Sequence, residues 1–79
     1  MREIGTLHVR GRRTGIVRTI RLRYSTTADG SVLIAAGGRS EQWPLNLRAD
    51  PDCRFQTDGG PRRYRASELP GRRFRLDPV

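Results

Sequence analysis

The sequence predicts a mainly β protein, a small antiparallel barrel with one short interposed helix, and three observations support this fold class. Apolar and polar residues alternate with a period of two over most of the 79 residues, as half-buried strands require. The tight-turn sequences ADG at 28–30 and DGG at 58–60 each separate two strand-like segments. Only the segment 40–51 has helical spacing, and no βαβ period is present. Short strands in this arrangement favour an antiparallel barrel.

The first two candidate strands precede the ADG turn. TLHVR at 6–10 is the weaker of them because it is short. In TIRLRYS at 19–25, Ile20, Leu22 and Tyr24 share one face, and polar residues occupy the other. This alternation is typical of a strand with one face in the core.

Three further strands follow. SVLIAA at 31–36 is continuously apolar, which predicts a strand buried on both faces. DCRFQT at 52–57 and RRYRAS at 62–67 alternate, with Phe55 and Tyr64 on their apolar faces. The second turn joins these last two strands as a hairpin.

The helix is predicted within SEQWPLNLRADP at 40–51, as two turns that join strands which are not hairpin neighbours. Ser40 is a candidate N-cap, Pro44 is compatible with a first helical turn, and Pro51 ends the segment. The sequence has no repeat and no linker, so a single domain over 1–79 is expected. Its tail at 70–79 is predicted to fray or to form a short helix.

Composition limits the function classes. The formal net charge is +8, and all 16 basic residues are arginine. Arginine forks suit phosphate and carboxylate, although exclusive use of arginine also reflects genome composition. The lone Cys53 allows no internal disulfide, and no metal-ligand spacing surrounds it. With no signal-like or membrane-spanning apolar run, a cytoplasmic protein without a membrane span is expected.

The arginine-rich segment GRRTGIVRT at 11–19 allows several interpretations. It could contact nucleic acid, hold a phosphorylated cofactor or be a solvated turn. Small nucleic-acid-binding barrels stack bases on exposed aromatic residues among basic ones. Here Tyr24, Phe55 and Tyr64 fall on core faces, so the charge is present and the stacking surface is missing.

The second interpretation, binding of a phosphorylated cofactor, is supported by features in several segments of the chain. Thr14 and Gly15 predict a turn whose backbone N–H groups could converge on an anion, with arginines around it. The Gly37–Gly38 pair follows an apolar strand, where backbone could approach a flat ligand closely. Trp43 is equally consistent with a core role and with an apolar wall for such a ligand.

Taken in order, these segments resemble the deazaflavin (coenzyme F420)-dependent nitroreductase and quinone reductase family. The matched segments are 11–19, 32–38 and 43–51, and the resemblance covers about 7–69. It implies a split β-barrel of the flavin-reductase and pyridoxamine-oxidase type. It also implies hydride transfer from reduced coenzyme F420 to a quinone, nitroaromatic or enone. FMN is a less favoured substitute cofactor.

The resemblance assigns cofactor contacts by position. Segment 13–19 matches the part that holds the coenzyme's phosphate and tail, 35–38 matches the strand end beside the deazaflavin ring, and 43–47 matches the helix that closes over it. No acid–base pair is visible, and none is required. The candidate cofactor-binding residues are Arg12, Arg13, Thr14, Gly15, Arg18, Thr19, Ala35, Ala36, Gly37, Gly38, Trp43, Asn46 and Leu47.

The sequence also departs from the family pattern. Only RSEQ at 39–42 separates the glycine pair from Trp43, where a longer loop is usual, and Pro44 stands where an aromatic residue is common. Of the elements expected to cover the pocket, the N-terminal lid is absent and the C-terminal helix is cut short. A homodimer that completes the site is therefore expected. Binding of the cofactor without turnover, a purely structural or carrier role, and a basic nucleic-acid-binding barrel remain as alternatives.

Overall fold

The computed structural model describes residues 3–38 and 41–79, and within them six strands close an antiparallel barrel in the order β1-β2-β3-β6-β5-β4. The predicted fold class is confirmed. The elements are β1 (Glu3–Arg10), β2 (Val17–Thr26), β3 (Val32–Ala35), α1 (Trp43–Ala49), β4 (Asp52–Thr57), β5 (Gly60–Leu69) and β6 (Arg73–Pro78).

The sixth strand corrects the prediction for the tail. Segment 70–79 is neither a helix nor a frayed end, because β6 pairs with β3 on one side and with β5 on the other. Phe74 and Leu76 alternate with polar residues, and both point into the core. Two apolar side chains on one face are enough for a strand whose backbone is paired at both edges.

The prediction that β3 is buried on both faces is also wrong. Its apolar run predicted burial on both faces, but Leu33 is only half-buried and Ala35 is exposed, while Val32 and Ile34 are buried. A barrel this small has one interior, and no layer of helices covers its outside. An apolar run therefore does not by itself imply two buried faces.

The core fills the barrel interior and the space under the helix. Trp43 and Leu47 of α1 are 2% and 1% exposed, and they join buried residues from all six strands. The helix connects β3 to β4, which are not neighbours in the barrel, as predicted. The strand residues of the core are Leu7, Val9, Tyr24, Val32, Ile34, Cys53, Phe55, Tyr64, Phe74 and Leu76.

The limits of the helix follow its two prolines. Pro44 lies in the first turn of the helix, where a missing N–H is tolerated, and Pro51 follows its end. The N-cap is Gln42, without a side-chain capping bond. Ser40, the predicted cap, lies outside the described residues.

At two boundaries between neighbouring strands, called here seams, the strands are hydrogen-bonded over only part of their length. Strands β2 and β3 share two residue pairs, Ser25↔Leu33 and Thr26↔Val32, and then separate. Strands β1 and β4 share three pairs, which end at His8↔Arg54. The other four pairs of neighbouring strands have longer ladders. The two short ladders mark the places where the barrel wall opens.

An ionic cluster ties the β2–β3 turn to β6. Arg75 donates to Asp29 at 2.5 Å and to Asp77 at 2.8 Å, and the Ser31 hydroxyl donates to Asp77 at 2.6 Å. A hydrogen bond from Thr27 is the largest cause that lowers the pKa of Asp29 to about 2, with the Ser31 N–H and Arg75 adding to it. The Ser31 hydroxyl is the main cause of the lowered pKa of Asp77.

This cluster predicts a loss of stability in acid. Because the folded state lowers the Asp29 pKa, the unfolded chain binds the proton more readily, and protonation favours unfolding. The contribution should be complete above about pH 4 and should disappear towards about pH 2. Urea unfolding at a series of pH values measures it. Asp29→Asn should flatten this part of the profile, whereas Asp58→Asn, which removes an exposed carboxylate in another turn, should leave it unchanged.

Candidate functional site

The open seam between β2 and β3 forms a cleft of about 600 Å³, called here the β2–β3 cleft. Three candidate cofactor residues, Ala35, Ala36 and Gly37, form part of its wall. Gly38 follows directly and accepts a hydrogen bond from Arg72 through its carbonyl at 2.9 Å. The cleft is lined by Arg21, Leu22, Arg23, Tyr24, Ser25, Leu33, Ile34, Ala35, Ala36, Gly37, Glu41, Leu69 and Arg73.

The cleft combines an apolar base with a cationic rim. Leucine and isoleucine side chains supply the base, and three arginines, Arg21, Arg23 and Arg73, supply the rim. Arg21 and Arg23 form no ion pair within residues 3–38 and 41–79, and Arg73 donates only to the Pro70 carbonyl. Their charges are therefore available to an anionic or electron-rich ligand.

Tyr24 is the one phenol of the cleft. Its hydroxyl donates to Glu3 at 2.5 Å, and this hydrogen bond is the main cause that raises the pKa of Tyr24 to about 12. The ring packs edge-to-face on Phe55, with centroids 5.2 Å apart. The hydrogen bond to Glu3 and the raised pKa of Tyr24 both disfavour release of its proton to a ligand.

Glu41 joins the wall of the cleft to the helix. Its carboxylate accepts the Gly37 N–H at 2.9 Å through Oε1, and it accepts the indole N–H of Trp43 through Oε2. Trp43 itself packs on Phe74, with ring centroids 5.5 Å apart. Of the two roles open to Trp43 from the sequence, the structure places it in the core, where it holds Glu41 in position.

The turn between β1 and β2 is closed by its own hydrogen bonds. The N–H of Gly11 donates to the Ile16 carbonyl at 2.8 Å, and the N–H of Gly15 donates to the Gly11 carbonyl at 2.9 Å. The Thr14 hydroxyl accepts the N–H of Ile16, and Gly15 has a φ of 73°. The N–H groups of Gly11, Gly15 and Ile16 are therefore used inside the turn, not directed at a ligand.

Arg12 fastens this turn to α1. Its backbone N–H and its Nη1 both donate to the Asn46 side-chain oxygen, at 3.2 and 2.8 Å, and its Nη2 donates to Gln42 at 3.0 Å. Asn46 is 4% exposed and Leu47 is packed in the core. Arg12, whose own side chain is exposed, and the buried Asn46 thus hold the turn and the helix together, while Leu47 lies in the core.

Two arginines of the turn region remain available to a ligand. Arg13 and Arg18 are exposed, and neither forms an ion pair with any residue that the structure describes. Thr19 is exposed beside Arg18 on β2. These three side chains are the members of the 11–19 segment that could contact an anion directly.

The two groups of candidate residues lie along one continuous path. From the turn, Arg12 contacts Asn46 and Gln42; the neighbouring Glu41 then contacts Gly37 at the cleft. Strand β2 also runs from the turn into the cleft. Apart from Ala35, Ala36 and Gly37, sequence reasoning assigned no cleft residue to the site. Leu69 ends β5 and is paired with Arg73 of β6, and Arg73 reaches the cleft only because the tail folds back beside β3.

The nucleic-acid alternative gains no support from the aromatic residues. The five aromatic rings of the chain are all in the core, with 8% exposure or less. No base-stacking surface therefore accompanies the positive charge.

In residues 3–38 and 41–79, no helix is long and apolar enough to cross a bilayer.

Comparisons with known proteins identify the family and support the fold. A family model described as F420H(2)-dependent quinone reductase matches residues 1–76. A solved structure superposes on 99% of the chain and 73% of its own length, with a TM-score of 0.79 and 24% identity. That likeness establishes the fold alone. No curated protein matches the chain.

Proposed function

The chain belongs to the F420H(2)-dependent quinone reductase family, and we propose on this premise that it binds coenzyme F420 in the β2–β3 cleft and reduces a quinone, nitroaromatic or enone. Coenzyme F420 is the cofactor that the family uses, and hydride transfer from its reduced form is the chemistry it supplies when bound. The observation that carries the proposal is the cleft itself, with an apolar base, a small-residue wall and three arginines that form no ion pair with any residue the structure describes.

The cleft fits a flat ring system. Its volume of about 600 Å³ lies within the range of ordinary ligand pockets. Side chains are small along Ala35, Ala36 and Gly37, so a planar ligand can approach the backbone there. A Cβ at Gly37 would come within 3.0 Å of Glu41 Oε1, so a larger residue would push on the carboxylate that holds this wall.

The turn provides the anionic end of the proposed site. Arg13, Arg18 and Thr19 would contact the coenzyme's phosphodiester and the beginning of its glutamate tail. Guanidinium–phosphate hydrogen bonds are charge-assisted and often bidentate, which makes them stronger than neutral contacts. Arg12 contributes indirectly, because it fixes the turn against α1 through Asn46.

The residues of the cleft bind, orient and exclude water. Leu22, Ile34 and Leu69 shield the reacting face from solvent, and Arg21 and Arg23 favour negative charge that develops on an acceptor. Reduction of a quinone also consumes a proton. Tyr24 keeps its proton on the hydrogen bond to Glu3, so we assign proton delivery to water at the open side of the cleft.

A second copy of the chain is proposed to cover the site. Ile16, Val17 and Leu45 are 61%, 52% and 38% exposed on the turn and on α1, the two elements that Arg12 joins. Burial of these side chains would offset the small core of one barrel. Sedimentation should show a dimer that Ile16→Glu dissociates. A monomer at micromolar concentration would contradict this part of the proposal.

Binding is tested by fluorescence titration with coenzyme F420, with FMN and a single-stranded oligonucleotide in parallel. We expect saturable binding of the deazaflavin, and we expect Arg18→Ala to raise Kd about tenfold or more, because a charge-assisted contact contributes roughly 1.5–3 kcal/mol. Arg62→Ala removes an equal charge from an exposed site outside the cleft and should leave Kd within about twofold. Equal effects of the two substitutions would contradict the assignment of Arg18.

A further inference from the structure

A second opening in the barrel wall lies at the seam between β1 and β4. Their ladder ends at His8↔Arg54, although β1 continues to Arg10 and β4 begins at Asp52. The strands separate there and leave a groove of about 530 Å³, called here the β1–β4 groove. Strands β1 and β2 lie between this groove and the β2–β3 cleft.

The strand register places a row of basic side chains across this groove. His8 is paired with Arg54, and Arg54 is paired with Arg63 of β5. Directly paired residues share one face of a sheet, with Cβ atoms roughly 5 Å apart. All three residues line the groove, so their side chains form one row over three strands. We call them the basic row.

The basic row has no acidic partner among the described residues. Arg54 and Arg63 form no ion pair there. The carboxylate nearest in sequence, Asp52, pairs instead with Arg65 at 3.4 Å. Asp52 also lines the groove, two residues before Arg54 on β4, but its carboxylate is shared with Arg65. Like charges directly opposite on neighbouring strands repel each other, and one shared carboxylate offsets this repulsion only in part. An anion between the two guanidinium groups would offset it.

We propose that the β1–β4 groove is a binding site for a phosphate group. One guanidinium satisfies both oxygens of a carboxylate, whereas two facing guanidinium groups and an imidazole match the several oxygens and the negative charge of a phosphate group. Pro61 adds an apolar surface beside the row for the organic part of a ligand. The phosphate can belong to a separate small molecule or to the coenzyme's own phosphodiester, and the test distinguishes these sources.

The chain provides its own reporter for the test, since His8 is its only histidine. Its ring proton signals in an NMR spectrum are therefore assigned without ambiguity. We would titrate the protein with inorganic phosphate at constant ionic strength, with chloride as the control anion. The expected result is a saturable shift of the His8 signals that chloride does not produce.

Arg63→Gln and Arg62→Gln form a matched pair of variants. They are neighbours on β5 and remove the same charge, but only Arg63 lines the groove. Arg63→Gln should raise the phosphate Kd at least tenfold, and Arg62→Gln should change it less than twofold. Both arginines are exposed, so both variants should remain folded, which their His8 signals verify.

The outcomes show whether the groove binds a separate phosphorylated ligand or the phosphate of the coenzyme. If Arg63→Gln weakens inorganic phosphate and leaves coenzyme F420 binding intact, the groove binds a separate phosphorylated ligand. If it weakens both, the groove holds the coenzyme's phosphate. A linear, non-saturating response of His8, or equal losses in the two variants, would overturn the proposal whether or not the coenzyme binds elsewhere.

Discussion

A chain that ends at Pro70 is expected to lose the folded barrel entirely. The deletion removes β6, which pairs with both β3 and β5 and closes the sheet. It also removes Phe74 and Leu76, which are 1% and 0% exposed. Burial of two such side chains contributes about 3–6 kcal/mol, a large share of the roughly 4–12 kcal/mol expected for a domain of this size. The exposed edges of β3 and β5 would also favour aggregation.

Circular dichroism and urea unfolding of the truncated chain measure this effect. Phe74→Ala provides a graded version, with an expected loss of about 3–5 kcal/mol in the free energy of unfolding. Val79→Ala, which alters a side chain that is 78% exposed at the same end of the chain, should change stability by less than about 0.5 kcal/mol. A cooperative transition in the truncated chain would show that β6 is dispensable and that the tail does behave as a frayed end.

Gly5→Ala is expected to destabilise the barrel by about 3 kcal/mol, although it adds only one methyl group. A Cβ at Gly5 would lie 2.5 and 2.6 Å from Cε2 and Cζ of Phe55 and 2.7 Å from the Gln56 carbonyl oxygen. Phe55 is fully buried and packs against Tyr24, so its ring has no free space to enter. The carbonyl oxygen belongs to the β1–β4 ladder and cannot move without breaking it.

Thermal unfolding should place the Gly5→Ala midpoint roughly 15 °C below that of the parent protein. Gly59→Ala is the matched control, because a Cβ there would meet only the Thr57 hydroxyl at 3.7 Å, an ordinary contact. Similar midpoints for the two variants would mean that Phe55 repacks freely, and it would refute the close approach of β1 to β4 at this position.

Much of the fold was predictable because the strands of the barrel wall show a local alternation of apolar and polar residues. Strand β2 buries Tyr24 and exposes Arg21 and Arg23 as its period of two indicates, and β4 and β5 bury Phe55 and Tyr64 in the same way. The helix was predictable from the helical spacing of segment 40–51, with Pro44 in its first turn and Pro51 after its end. The tail was mispredicted because its two apolar residues form a strand only when β3 and β5 supply partners on both edges.

The candidate site likewise has one part that was predictable from the sequence and one part that was not. Motif order pointed to the 11–19 turn and to the glycine pair, and the structure joins them through Arg12 and Glu41. Sequence reasoning did not foresee that Arg12 would be held by the buried Asn46, or that the N–H groups of Gly11 and Gly15 would be used inside the turn. The role of such an arginine depends on which side chains, distant in the sequence, it contacts in the folded chain.

The sequence by itself determined the mainly β class, the family and the sign of the surface charge, because alternation, motif order and composition are properties of the chain alone. Only the tertiary structure decided where the barrel opens. The β2–β3 cleft and the β1–β4 groove exist because two ladders stop after two and three residue pairs. The divergence of two strands depends on the twist and closure of the whole sheet, and no local segment of the sequence encodes it.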